Sequence, residues 1–278
     1  MLKQRVITAL VLVTVIGGAI IYLSPLGFAA LITVLVLAAS WEWSALSGLR
    51  SWLSRLAFSA SCGLLMAVAA WRCHLLTEQI EWSQTIVILE IACLWWAIAL
   101  LWVKTYPASS KLWGSIPIRM IMGFLTLIPA WLAFIALRSS GGGIAIILVL
   151  IGLVICADTG AYFAGKAWGK RKLAPAVSPG KSWAGFWGGL VISSVFVLAM
   201  WWFYGDRALA LPTVLFIALL TGLASVLGDL VESMVKRHQG VKDSGMILPG
   251  HGGIMDRFDS LTAAAPVFAL CLLLVGAN

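Results

Sequence analysis

Nine stretches of this chain are apolar and, in all but one case, long enough to cross a bilayer, and they leave room for little else. They run over 6–23, 27–47, 56–71, 84–103, 116–137, 143–164, 184–204, 211–232 and 259–277. A spanning helix needs about 20 apolar residues, because each backbone N–H and C=O must find its partner within the segment. The expected fold is therefore all-α: a polytopic integral membrane protein of nine transmembrane helices, treated as a single domain over residues 1–278. The third stretch is short, so that helix either tilts or starts earlier. Lys3 and Arg5 precede the first stretch as they would in a signal peptide, but a second span follows directly after Ser24-Pro25-Leu26, which favours a retained helix. Only 11% of the residues are charged and 62% are hydrophobic, against about 25% and 45–50% in soluble domains. That excludes a water-soluble enzyme, a disordered chain and a disulfide-stapled secreted domain.

The formal charge of +8 reads as topology. With the N-terminus in the cytoplasm, cytoplasmic ends and loops hold 16 of the 19 Lys and Arg residues, leaving Arg72, Arg138 and Arg207 outside. One missed span would invert every later loop, so the asymmetry argues for an N-in, C-out arrangement. Without a soluble domain to carry a basic face, nucleic acid is not an expected partner. The cysteines, Cys62, Cys73, Cys93, Cys156 and Cys271, show no metal-ligand spacing and read as packing residues.

Residues 1–140 are apolar runs with few ionisable groups and read as scaffold, whereas 150–260 carry two polar segments expected to be cytoplasmic loops. No internal repeat is visible, which weakens a transporter reading. Six of the eleven acids fall after residue 157 near cytoplasmic helix ends, where ionisable groups are costly and point to function. The first loop contains Asp158, Lys166, Lys170, Arg171 and Lys172, then Ser178-Pro179-Gly180-Lys181-Ser182. Its Gly and Pro turns and its lysines suit phosphate, with Lys166, Ser178 and Lys181 as candidates; headgroup contact is the plainer alternative for Lys170–Lys172. The Gly-Lys-Ser ending is not a P-loop, since Pro175 stands where its first glycine belongs.

The second loop runs from Gly228 to Asp259. Asp229 closes one apolar stretch, and Asp256 and Asp259 stand where the chain re-enters the membrane. Carboxylates brought together there call for a proton or a cation, and hard oxygen donors beside a phosphate substrate suit Mg²⁺. Interleaved Lys236, Arg237, Lys242 and Arg257 complete a set fit for phosphoryl or nucleotidyl transfer. The alternatives are an Asp229–Lys236 structural pair, an Asp256–Arg257 pair at a helix start, and a His251 that only bonds backbone. Glu42 and Glu90 are expected to make interhelical hydrogen bonds.

The 27 residues from Ser233 to Asp259 resemble the signature of phosphatidate cytidylyltransferases (CDP-diacylglycerol synthases). They read Ser-x-hydrophobic-Lys-Arg, four residues, Lys-Asp-x-Gly, two residues, then Leu-Pro-x-His-Gly-Gly-hydrophobic-x-Asp-Arg-Phe-Asp, matched at every fixed position. Asp158, Ala161-Tyr162, Gly165-Lys166, Ser178-Pro179 and Lys181 resemble an upstream family region, which often reads S-P-K-K-T-x-E-G; Gly180 and Ala184 depart from it. The resemblance implies attack of phosphatidic acid on CTP, giving CDP-diacylglycerol and pyrophosphate. It implies Mg²⁺ through Asp229 and Asp256, a second, monovalent cation such as K⁺, and a homodimer. Asp229, Asp256, Lys236 and Arg257 are then the catalytic candidates. Lys166, Ser178, Lys181, Ser233, Arg237, Lys242, Asp243, His251 and Asp259 are the substrate-binding ones. The expected setting is a bacterial inner membrane with the site facing the cytoplasm. Rival readings are a CTP-dependent polyprenol or phytol kinase, a cation or lipid transporter, and an inactive paralogue.

Overall fold

The computed structural model describes residues 14–75, 80–204, 209–247 and 252–276. Helix α1 covers 14–22 of these, followed by α2 (Pro25–Leu46), α3 (Trp52–Arg72), α4 (Trp82–Lys104), the single turn α5 (Ser110–Trp113), α6 (Ile116–Ser139) and α7 (Gly143–Trp168). A hairpin, β1 (Lys172–Ala174) and β2 (Ser178–Ser182), leads into α8 (Trp183–Tyr204), α9 (Leu211–His238) and α10 (Met255–Leu274). Among the described residues eight helices are long and apolar enough to cross a membrane. The chain is an all-α polytopic membrane protein. The expected first span, 6–23, lies partly outside the described residues.

Burial orders the bundle. The most apolar window of α6 is 78% buried, whereas those of α3 and α8 are 22% buried, so α6 is central and the other two present Leu64, Leu65, Val191 and Val195 outward. The short third stretch gains length because Ser51 N-caps α3, accepting from the Ser54 N–H.

The two polar segments expected as loops are in part helical. Helix α7 runs to Trp168, so Asp158 and Lys166 are helical residues, and α9 runs to His238, carrying Asp229 to Arg237 on a rigid rod. Hydropathy reports the solvent a segment meets, not whether its backbone stays helical. Twenty-eight residues of α9 extend about 42 Å at 1.5 Å each, beyond a hydrocarbon layer of about 30 Å. Helix α10 starts at Met255 instead of 259, which puts both Asp256 and Asp259 in its opening turns.

Gly160, in the segment expected to turn around an anion, instead joins Gly185 and Gly188 in letting two helices touch. Along the α7–α8 seam a Cβ on Gly160 would sit 2.7 Å from the Gly188 carbonyl oxygen, and one on Gly185 2.7 Å from that of Ala161. A Cβ on Gly188 would overlap that of Ala164. This is close approach through small residues, the common device of membrane helices. Gly188→Leu is expected to cost about 1–3 kcal/mol or more by overpacking, read as a lower thermal midpoint of the detergent-solubilised protein. An unchanged midpoint would count against a tight seam.

Candidate active site

Helices α9 and α10 approach closely at Gly228, where an added Cβ would run into the Asp259 backbone oxygen. From that crossing, α9 presents Asp229, Glu232, Ser233 and Lys236 toward Asp256 and Asp259 of α10. Lys236 Nζ lies 2.6 Å from Asp256 Oδ1 and 3.4 Å from Glu232 Oε1. Lys236 is 8% exposed and Glu232 1%, so these charges meet with little water between them. Asp256 Oδ2 also accepts from the backbone N–H of Ser244 (2.9 Å) and Gly253 (2.8 Å). Asp259 accepts from the Ser260 N–H at 2.7 Å and borders Glu232.

The hairpin supplies the other half. Its strands are antiparallel, Lys172 opposite Ser182 and Ala174 opposite Ser178. The buried Val177 anchors the turn, and its carbonyl accepts from Arg237 Nε at 3.3 Å. Ser182 accepts from the Gly185 N–H and so caps α8. Lys181 therefore leaves a fixed backbone, and its Nζ reaches Asp229 Oδ2 at 2.7 Å, with both side chains about a quarter exposed. Ser233 donates to Asp229 Oδ1 at 3.1 Å, and Asp158 lies within electrostatic reach of Lys181 and Asp229. Beside this pair opens a cavity of about 400 Å³, lined by Asp158, Tyr162, Lys166, Lys181, Phe186 and Leu190 among others.

The structure thus gathers Asp229, Ser233, Lys236, Asp256, Asp259 and Lys181, with Lys166 on the cavity wall. The pairings differ from both structural alternatives: Asp229 meets Lys181 instead of Lys236, and Asp256 meets Lys236 instead of Arg257. Arg237 gives two of its guanidinium N–H groups to the Val177 and Val241 carbonyls. Arg257, Lys242 and Asp243 are exposed, and Ser178 opens β2. His251 lies outside the described residues. Sequence reasoning left Asp158 and Glu232 off the candidate list. The signal was present for both, an acid on an apolar stretch, but the partners that give it meaning lie on other helices.

Five carboxyl groups, Asp158, Asp229, Glu232, Asp256 and Asp259, gather beside two lysines: Lys181 pairs directly with Asp229, and Lys236 with Glu232 and Asp256, while Asp158 and Asp259 lie within electrostatic reach. Formally that leaves negative charge that a proton or a cation must balance. Among the described residues no three His, Cys, Asp or Glu side chains are gathered to hold a metal unaided. Mg²⁺ does not require that, since it takes one or two carboxylates plus water and substrate phosphates. The oxygen-only donor set fits such an ion.

Comparison with known proteins gives a consistent picture. A model of the cytidylyltransferase family matches residues 3–275. The chain is 45% identical over 276 residues to a phosphatidate cytidylyltransferase of Pseudomonas aeruginosa, covering 99% of this chain and 98% of that protein. It is 40% identical over 283 residues to one of Haemophilus influenzae, covering 97% and 98%. A Staphylococcus saprophyticus phosphatidate cytidylyltransferase matches at 48% identity over 131 residues, half of that protein.

Proposed function

Since this chain belongs to the cytidylyltransferase family, we propose that it transfers the cytidylyl group of CTP to phosphatidic acid, forming CDP-diacylglycerol and pyrophosphate. A phosphatidate oxygen forms a bond to the α-phosphorus of CTP. The bond from that phosphorus to the β-bridging oxygen breaks, and pyrophosphate leaves with the electron pair. The lipid phosphate is already ionised near neutral pH, so the step needs no dedicated base.

The observation that carries this reading is Lys181, which stands on the wall of a cavity of about 400 Å³ and pairs with Asp229 beside it. Lys181 and Lys166 offer compact charge to phosphate oxygens, and Tyr162, Phe186 and Leu190 give an apolar wall for the parts of a substrate that shun water. Lys236 holds Asp256 in place, while Arg257, Lys242 and Arg237 supply outer positive charge to the triphosphate and the leaving pyrophosphate. Ser178, Ser233, Asp243, His251 and Asp259 complete the proposed substrate shell. Asp229 and Asp256 are the proposed Mg²⁺ ligands: Asp229 is partly exposed, and Asp256, accepting three hydrogen bonds, keeps one of about four acceptor positions. Mg²⁺ held there supplies charge to the phosphates. A second, monovalent cation such as K⁺ is part of the same proposal.

The site faces the cytoplasm of a bacterial inner membrane in an N-in, C-out chain of nine spans. The distribution of Lys and Arg and the bacterial relatives support that placement. The homodimer implied by the sequence resemblance belongs to the same reading. A transporter is disfavoured by acids gathered near helix ends. Purified protein incubated with labelled CTP, phosphatidate and Mg²⁺ is expected to yield lipid-extractable cytidine with matching pyrophosphate. CDP in the water phase instead would establish the lipid kinase, and no turnover with any phospholipid acceptor would point to an inactive paralogue.

A further inference from the structure

Helix α10 carries Asp256 and Asp259 yet has no side-chain cap of its own. Its N-cap residue is Ile254, which cannot accept a hydrogen bond through its side chain. The first N–H groups of a helix must nevertheless find acceptors when buried. They find one from the other end of the chain. Glu42, on the last turns of α2 and 2% exposed, accepts from the Ile254 N–H at 3.0 Å through Oε1 and from the Met255 N–H at 2.8 Å through Oε2. Oε2 also accepts from the Ser244 hydroxyl at 3.1 Å.

Ser244 joins this clamp to the charged centre. Its hydroxyl binds Glu42 while its own N–H binds Asp256, and Gly253 N–H binds Asp256 while the next N–H, that of Ile254, binds Glu42. Two carboxylates from opposite ends of the sequence thus hold both ends of the 244–253 segment. A Cβ on Gly245 or Gly253 would run into the Glu42 carboxylate, so these glycines make room for it. Glu42 is itself fixed. The neighbouring Trp43 donates from Nε1 to the Arg119 carbonyl at 2.8 Å, and Arg119 donates to the Leu46 carbonyl at 3.1 Å. A negative group at a helix N-terminus also meets the favourable end of its dipole.

We propose that Glu42 is a positioning residue of the transfer site, a role that rests on the function proposed above: from α2 it caps α10 and holds Asp256 against Lys236. Glutamine is the informative replacement. It keeps the volume, but its NH₂ must face one of three donors.

The test compares wild type, Glu42→Gln, Glu42→Asp and Ser244→Ala, each full length in detergent with phosphatidate. Losing one such bond corresponds to about a tenfold faster amide exchange, read in peptides covering 243–258, with peptides of α6 unchanged. In the same samples kcat is expected to fall about tenfold or more, as small displacements of reacting groups do. KM for CTP should move less than about threefold, since ground-state binding is untouched. Glu42→Asp restores the charge at shorter reach and is expected to recover part of both losses. Ser244→Ala, which keeps both backbone bonds, should show a smaller loss of each kind and remains informative if Glu42→Gln does not fold. Unchanged exchange in both Glu42→Gln and Ser244→Ala, or faster exchange with wild-type kcat, would overturn the proposal. A wild-type protein without turnover would overturn the assigned function, and the exchange comparison would still decide the cap.

Discussion

Lys236→Met is expected to lower stability more than any other single change at the charged centre. Methionine fills the same path, but it leaves Glu232, 1% exposed, and the half-buried Asp256 facing one another without the ammonium that lies 2.6–3.4 Å from them. Removing one partner of a buried ionic group typically costs about 3–5 kcal/mol, because the remaining charge is stranded in a poor solvent. Against a usual margin of about 5–15 kcal/mol that is a large fraction. By the scaling for chains of about 150–250 residues it lowers the thermal midpoint by roughly 6–20 °C. The measurement is a thermal scan of solubilised protein. Adding Glu232→Gln should recover part of the loss by removing one stranded carboxylate. A wild-type midpoint for Lys236→Met would mean that the two acids do not depend on this lysine.

Asp229→Asn should show the opposite division. Asp229 and Lys181 are each about a quarter exposed, and water screens such a pair, so its contribution to stability is about 0–1 kcal/mol. Its role in the proposed chemistry is greater, because charge placed where phosphates react typically changes kcat by about 100- to 1000-fold. The expected result is a rate of cytidine transfer to lipid reduced by that factor, with the thermal midpoint close to wild type. A loss of less than about tenfold, or a midpoint lowered as far as by Lys236→Met, would place Asp229 among the structural residues instead. The comparison is informative because both lysine–aspartate pairs look alike in sequence. Burial separates them.

The sequence made the bundle legible because membrane helices advertise themselves: uninterrupted apolar runs have no other stable use, and eight of them correspond to observed helices. Their ends were harder to read. Asp229 and Asp158 read as the edges of polar loops, since charge signals water, but helix α9 continues for more than two turns beyond Asp229. The hairpin at 172–182 was hidden for a similar reason. Its short strands carry Pro and Gly, and its order comes from the buried Val177 and the hold of Arg237. The acids and lysines of the centre could be named from their clustering, whereas which acid meets which lysine could not, because Lys181 and Asp229 are brought together only by tertiary packing. Glu42 was expected to bond between helices, and it does. That its partners are the backbone of α10, more than 200 residues away, is not written in any local pattern.

That separation has a meaning in time. A ribosome extends a chain at about 5–20 residues per second, so the 213 residues between Glu42 and Met255 represent roughly 10–40 seconds of synthesis. Throughout that interval the carboxylate of α2 waits in a nascent bundle for donors that have not been made. The keystone is laid late: the scaffold around the reacting groups closes only when α10 arrives. A chain interrupted before α10 therefore holds Lys181, Asp229 and Lys236 but lacks Asp256 and the donors that Glu42 awaits. Synthesis of α10 and assembly of the reaction centre become the same event.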